Sequence, residues 1–225
     1  MVPIQMVDLK RQYLKIKTEV DDAIADVVQN TSFINGKAVT DFSAALGQFL
    51  GIEHVVPCAN GTDALQIAMM ALGLEPGDEV ITPSFTYIAT TEVMALLRLN
   101  PVFVDVDVTT HNIDASKIEI AIGPKTKAIM LAHSLGNPFN LDVVTALCKK
   151  YNLWLIEDCC DALGTTYRGQ MVGTFGDIGT LSFYPAHHIT MGEGGAVFTN
   201  NDELKTIAES FRDWGRDCYC TPGKD

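Results

Sequence analysis

The chain has 225 residues and a formal net charge of -12, with 47% hydrophobic and 20% charged side chains. That balance suits one large soluble domain able to bury a sizeable core, and an acidic chain without a Lys/Arg stripe is no general nucleic-acid binder. No apolar run approaches the roughly 18–20 residues that cross a bilayer, and the opening MVPIQMVDLKRQ lacks the basic start and apolar run of a signal peptide.

Six cysteines are too few for a secreted disulfide framework, so the expected compartment is cytoplasmic, with no membrane partner. They are unevenly placed: Cys58 and Cys148 are alone, followed by Cys159-Cys160 and Cys218-Tyr219-Cys220. The clustered ones are candidates for something other than disulfides.

In chain order, apolar residues at helical spacing predict a helix over 9–28, and a second amphipathic helix over 39–50 stops at Gly51. Short β-rich runs then fall at 54–58, 79–83, 101–106, 126–132, 153–157, 178–182 and 195–199. Between and after them, helical patterns occupy 63–72, 90–97, 115–122, 141–151 and 202–212. The alternation predicts an α/β fold, a three-layer αβα sandwich around a mostly parallel seven-stranded sheet. From residue 175 onward two strands follow closely around a Gly-rich stretch, which predicts a hairpin or an antiparallel member at one side. The whole of 1–225 reads as one domain with an N-terminal helical segment over about residues 1–30. The chain stops soon after a helix headed into more structure, so it is expected to be a piece of a longer protein.

Three segments could carry chemistry. Ala59-Asn60-Gly61-Thr62-Asp63-Ala64-Leu65 follows a strand and opens a helix. Glycine there permits close backbone approach, and the helix start offers free amides with a favourable dipole, so the segment suits a phosphate. A plain strand-to-helix turn capped by Asn60 or Thr62 would use the same residues. Asp158, ending Ile156-Glu157-Asp158, stands where open α/β sheets place ligand contacts. It could hold a pyridinium nitrogen protonated, or cap the next helix. His187 and His188, in the Gly-flanked stretch SFYPAHHITMGEGG, could include a general base or a metal ligand.

Taken together these segments resemble the sugar aminotransferase (DegT/DnrJ/EryC1/StrS) family of fold type I pyridoxal-phosphate enzymes. The pieces ANGTDAL, PGDEVITPSFTYIAT, PVFVDVD, IEDCCDALG and GDIGTLSFYPAHHITMGEGGAVFT fall in the family's order. The resemblance implies the large domain of the aspartate aminotransferase-like fold, a homodimer, and a small C-terminal domain absent from this chain. It also implies that Gly61 and Thr62 offer amides to the cofactor phosphate with the Ser182 hydroxyl. Tyr87 would stack on the pyridine ring and Asp158 would pair with its nitrogen. Asp161 stands where the family often has His or Gln facing the ring.

One position departs from the pattern. Ordinary members read S-F-x-x-x-K, and the lysine place holds His187. Imidazole cannot form the covalent link that lysine makes with the cofactor aldehyde, although it moves protons near neutral pH. This resembles the dehydratase branch, which uses pyridoxamine 5'-phosphate held without a covalent bond. From about residue 125 to 220 the likeness is to the CDP-6-deoxy-4-keto-glucose 3-dehydrase type of O-antigen pathways. MVDLKRQY and ANGTDALQIAMMALGL look more like ordinary aminotransferases.

The dehydrase type also carries a [2Fe–2S] cluster on a C-x57-C-x-C-x7-C pattern. Cys160, Cys218 and Cys220 keep its first three places, and the fourth would fall beyond Asp225. The expectation is therefore a dehydratase of a nucleotide-linked 4-keto-6-deoxy sugar with His187 as base. If the cluster is present, a partner reductase would supply electrons. An aminotransferase, a scaffold that keeps only the fold, and a truncated domain without activity of its own are the rivals.

Overall fold

The computed structural model describes residues 6–217. Seven strands form one sheet: β1 (His54–Cys58), β2 (Glu79–Pro83), β3 (Asn100–Val104), β4 (Thr126–Ala132), β5 (Trp154–Asp158), β8 (Ile178–Ser182) and β9 (Gly195–Thr199). Their order across the sheet is β1-β9-β8-β5-β4-β2-β3. All neighbours pair in parallel except those of β9, which runs antiparallel to both β1 and β8. The expected antiparallel member is thus β9, one place in from the edge.

Helices cover both faces. On one side lie α3 (Gly61–Ala71), α4 (Ala89–Leu96) and α7 (Asp202–Arg212); on the other lie α2 (Lys37–Leu50), α5 (Ile118–Ala121) and α6 (Leu141–Tyr151). Strand β4 shows why. Ala128 and Met130 enter the core on the α3 side, while Ile129 and Leu131 enter the core on the α6 side. A period of two with apolar residues on both faces is the pattern of a sheet buried on both sides.

The strand ends share one level. Ala132 pairs with Asp158 and Asp158 with Thr180, while Gly195 pairs with both Cys58 and Ser182. The C-terminal ends of β1, β2, β3, β4, β5 and β8 therefore open on a single edge. One close approach holds β8 on β9: a Cβ on Gly179 would lie 2.3 Å from the Phe198 ring opposite.

Four details differ from the sequence reading. The strand expected over 101–106 ends at Val104, since the chain turns away where Asp107 Oδ1 accepts the amides of Thr109 and Thr110, each at 2.9 Å. The helix expected over 115–122 is a 3-10 turn (Ala115–Lys117) followed by the single turn of α5, cut short before Gly123-Pro124. A short hairpin, β6 (Thr166–Tyr167) with β7 (Gln170–Met171), was not expected. Its two-residue turn, Arg168-Gly169, takes positive φ at both positions (50° and 85°), which matches the twist of a tight hairpin.

The fourth difference concerns α1 (Leu9–Gln29), which forms where expected, capped by Asp8 accepting from the Arg11 amide at 3.0 Å, yet has no buried residue. Its apolar stripe, with Leu14, Ile24 and Val28, faces outward. No helix among the described residues is long and apolar enough to cross a membrane.

Gly179→Ala is expected to lower stability by about 1–3 kcal/mol, because the added methyl overpacks a buried strand contact. A urea midpoint moving down with an unchanged slope is the expected readout; an unmoved midpoint would contradict the packing described.

Candidate active site at the C-terminal edge of the sheet

The first component is the start of α3. Asn60 is its N-cap: the side chain accepts from the Asp63 amide at 2.8 Å, and the Asn60 carbonyl takes the Ala64 amide at 3.1 Å. The turn is therefore capped as any helix would be. The same cap leaves the Gly61 and Thr62 amides without an acceptor among the described residues. A Cβ on Gly61 would lie 2.6 Å from Ser182 Cβ, 3.0 Å from Ser182 Oγ and 3.3 Å from Cys160 Sγ. Glycine thus lets the helix start and the end of β8 come together, and two unspent amides, a hydroxyl and a helix dipole converge. That donor set fits a phosphate.

The second component ends β5. Asp158 is 7% exposed, and the Cys160 amide donates to its Oδ1 at 3.1 Å. Burial pushes its carboxyl above the ordinary 3.8, opposed by hydrogen bonds from the Cys160 thiol and amide. No Lys, Arg or His is ion-paired with it among the described residues. A buried carboxyl of this kind fits a protonated ring nitrogen as its counter-charge.

Asp161 and His187 form the third component. Asp161 Oδ1 lies 3.0 Å from His187 Nδ1, with the imidazole 18% and the carboxylate 52% exposed. Tyr184 sets its ring edge-on to the imidazole, 6.3 Å between centroids. A neutral imidazole keeps a lone pair on one ring nitrogen, as a general base needs, and a carboxylate this close can orient the ring and offset the charge it gains.

Of the expected site residues, Gly61, Ser182 and Cys160 adjoin one another, Asp158 adjoins Cys160, and Asp161 adjoins His187. Thr62 occupies the first turn of α3. Tyr87, after β2 on the same edge, is 77% exposed. Cys218 and Cys220 lie outside the described residues. Among the described residues no three His, Cys, Asp or Glu side chains gather as a metal site. Burial, then the Asp158 carboxylate, drives the Cys160 thiol well above its ordinary range, which keeps it protonated. Burial likewise pushes Cys58, beside the α3 cap, to about 12. A separate cleft, lined in part by Lys127, Cys148, Trp154 and Asp177, opens at the opposite edge of the sheet.

The sequence reading missed the pair beneath this edge, Glu157 and His133, both fully buried. Glu157 Oε2 accepts from the Gly173 amide at 2.8 Å and meets His133 Nε2 at 3.0 Å; Oε1 accepts from Phe175 and Gly176 at 2.8 and 2.6 Å. The His133 ring stacks on Phe139 at 4.3 Å, and its backbone amide donates to the Asp158 carbonyl at 3.1 Å. The available signal was a Glu at the end of an otherwise apolar two-faced strand, where a charge must find several donors.

The model of the DegT/DnrJ/EryC1/StrS aminotransferase family matches residues 14–221. Over 192 residues the chain is 62% identical to the lipopolysaccharide biosynthesis protein RfbH of Salmonella typhimurium, covering 82% of this chain and 44% of that protein. It is 47% identical over 192 residues to dTDP-4-dehydro-2,6-dideoxy-D-glucose 3-dehydratase of Saccharopolyspora spinosa, covering 82% of this chain and 42% of the enzyme. It is also 42% identical over 215 residues to UDP-2-acetamido-2-deoxy-3-oxo-D-glucuronate aminotransferase of Pseudomonas aeruginosa, covering 95% and 60%. Among solved structures, NtdA of Bacillus subtilis with bound cofactor PMP superposes with a TM-score of 0.88 at 31% identity, covering 94% of this chain and 48% of that one. The chain spans about half the length of the curated relatives it matches.

Two substitutions separate the roles at the end of β5. Glu157→Gln should cost about 2–4 kcal/mol, since an amide group would face backbone donors in a buried place. Asp158→Asn should behave oppositely in the cofactor-free protein. With its carboxyl raised above 3.8 in the fold, Asp158 contributes stability that is full below that value and is lost as pH climbs through the raised one. The Asn variant lacks this loss, so its melting temperature relative to wild type should rise across that window. A difference that stays flat with pH would refute the assignment.

Proposed function

The chain belongs to the DegT/DnrJ/EryC1/StrS aminotransferase family, and from that premise we propose that the intact protein is a 3-dehydratase of a nucleotide-linked 4-keto-6-deoxy sugar. The observation that carries the reading is His187, in the lysine place of the family motif, with its Nδ1 3.0 Å from Asp161 Oδ1, within ion-pair reach. In this reading vitamin B6 is held as pyridoxamine 5'-phosphate without a covalent bond. Gly61, Thr62 and Ser182 would bind its phosphate, Asp158 would pair with the ring nitrogen, and Tyr87 would cover the ring. When bound, the cofactor supplies an amine for the sugar ketone and an electron-accepting ring.

The remaining work falls to side chains of this chain. Asp161, 3.0 Å from His187 Nδ1, is placed to orient the imidazole. His187 would take up a proton from the bound reactant on its free ring nitrogen and return it to the departing C3 hydroxyl, which leaves as water, while Asp161 is placed to steady the imidazolium in between. Asp158, desolvated at the strand end, interacts more strongly with a cationic ring than an exposed carboxylate would. Amides at the α3 start hold the anionic end despite the acidic net charge, because their reach is local.

The 47% likeness to a 3-dehydratase favours this reading. The 42% likeness to an aminotransferase, over more of the chain, favours amino transfer as the second one. Incubating the full-length protein with pyridoxal phosphate and borohydride separates them. Dehydration predicts no stable label; a cofactor fixed on an active-site lysine would sink the His187 assignment. In the same protein His187→Asn should lower kcat by about 10²–10⁴ while pyridoxamine phosphate binding, read by absorbance, changes little.

A further inference from the structure

We propose that Leu135 is a specificity-determining residue, an apolar contact that separates a 6-deoxy sugar from its 6-hydroxylated counterpart. The proposal rests on the functional reading above.

Leu135 lies in the short 3-10 turn Ser134–Gly136 that follows β4, with φ 54° and ψ 31°. That is the left-handed region, where a side chain costs energy that glycine avoids. Eight non-glycine residues among those described have positive φ, and Leu135 is the one with an aliphatic side chain. It is also 82% exposed. The unliganded protein thus holds a branched apolar side chain in an unfavourable backbone and presents it to water. Outliers of this sort persist where surrounding bonds over-determine them, and they concentrate at ligand sites.

The surrounding bonds are present. Asn112, 3% exposed, receives the Ser134 amide at 3.2 Å and donates to the Asn137 carbonyl at 3.0 Å. Ser134 Oγ donates to the His111 carbonyl at 3.1 Å, and Thr165 Oγ1 donates to the Gly136 carbonyl at 3.1 Å. The turn is therefore tied to the loops after β3 and β5.

Its position fits the substrate class. A Cβ on Gly136 would lie 3.1 Å from the Asp161 carbonyl, and Asp161 holds His187. Leu135 thus stands one residue from the backbone contact that reaches the acid–base pair. The groups of the candidate site, Asp158, Asp161, His187 and Ser182, are polar and suit a hydroxylated, phosphorylated ligand. In a 4-keto-6-deoxy sugar the apolar group nearest the reacting C3 and C4 is the C6 methyl, carried on C5. A leucine exposed one residue from that backbone contact offers an apolar surface that suits a methyl group and disfavours a hydroxymethyl, which would lose its hydration.

The test uses full-length wild type, Leu135→Gly and Leu135→Asn, because Gly and Asn both accept positive φ and keep the turn. Each is titrated calorimetrically with matched pairs of CDP-, dTDP-, GDP- and UDP-linked hexoses. One member of each pair is 6-deoxy and the other carries the 6-hydroxyl; neither has the C4 ketone, so neither reacts. Wild type should prefer the 6-deoxy member by about tenfold or more, and both variants should bring the ratio to within about twofold. Pyridoxamine phosphate affinity should hold. A ratio retained in both variants overturns the proposal. So does a changed oligomeric state with the ratio intact, which would make Leu135 a contact between copies. Wild type that binds no pair would instead fell the functional reading, and this proposal with it.

Discussion

A single buried carboxylate organises the functional edge. Glu157 sits at the end of β5 with three backbone amides and the His133 imidazole around it, at 2.6 to 3.0 Å. Charge is tolerated in a core only when it is met by several donors at once. Here those donors come from two separate stretches: His133 closes β4, and the amides of 173–176 lead directly into β8. One side chain therefore ties the C-terminal ends of β4 and β5 to the stretch that enters β8. Asp158, Cys160 and Asp161 follow it in the chain, and Ser182 and His187 follow the loop it holds.

The two faces of the sheet divide the labour. Glu157 points to the α6 side, toward Leu131 and Phe139, while Asp158, the next residue, points to the α3 side with Ile156. The structural carboxyl and the candidate-site carboxyl are thus adjacent in sequence and separated by the sheet. The Asp158 carboxyl is left with Cys160 as its hydrogen-bond partner and with burial working against its ionisation. Such a group is unfavourable for the bare fold and useful to a cationic ligand, the usual relation between stability and function at a site.

A protein of net charge -12 that is read as binding a phosphorylated cofactor and a nucleotide-linked sugar has no need of a positive surface. Amides at a helix start and a hydroxyl act over a few ångströms, within the distance that salt leaves unscreened. Gly61 matters for the same reason. A side chain there would push Ser182 away and separate the donors.

Much was legible in the sequence. Each of the seven sheet strands begins or ends within two residues of expectation, because two-sided burial writes itself as short apolar runs between turn residues. The ordered motifs carried the family, and the place of His187 in them carried the reading of the chemistry. Tertiary structure decided what needs neighbours. It gave the strand order and the reversed β9, the hidden Glu157–His133 pair, the pairing of Asp161 with His187, and the outward face of α1. It also decided that Leu135, an unremarked residue in a turn, stands exposed in a left-handed backbone beside the site. Periodicity records which residues prefer burial; it does not record which buried or exposed groups will meet, since that depends on strands far apart in the chain being brought to one edge.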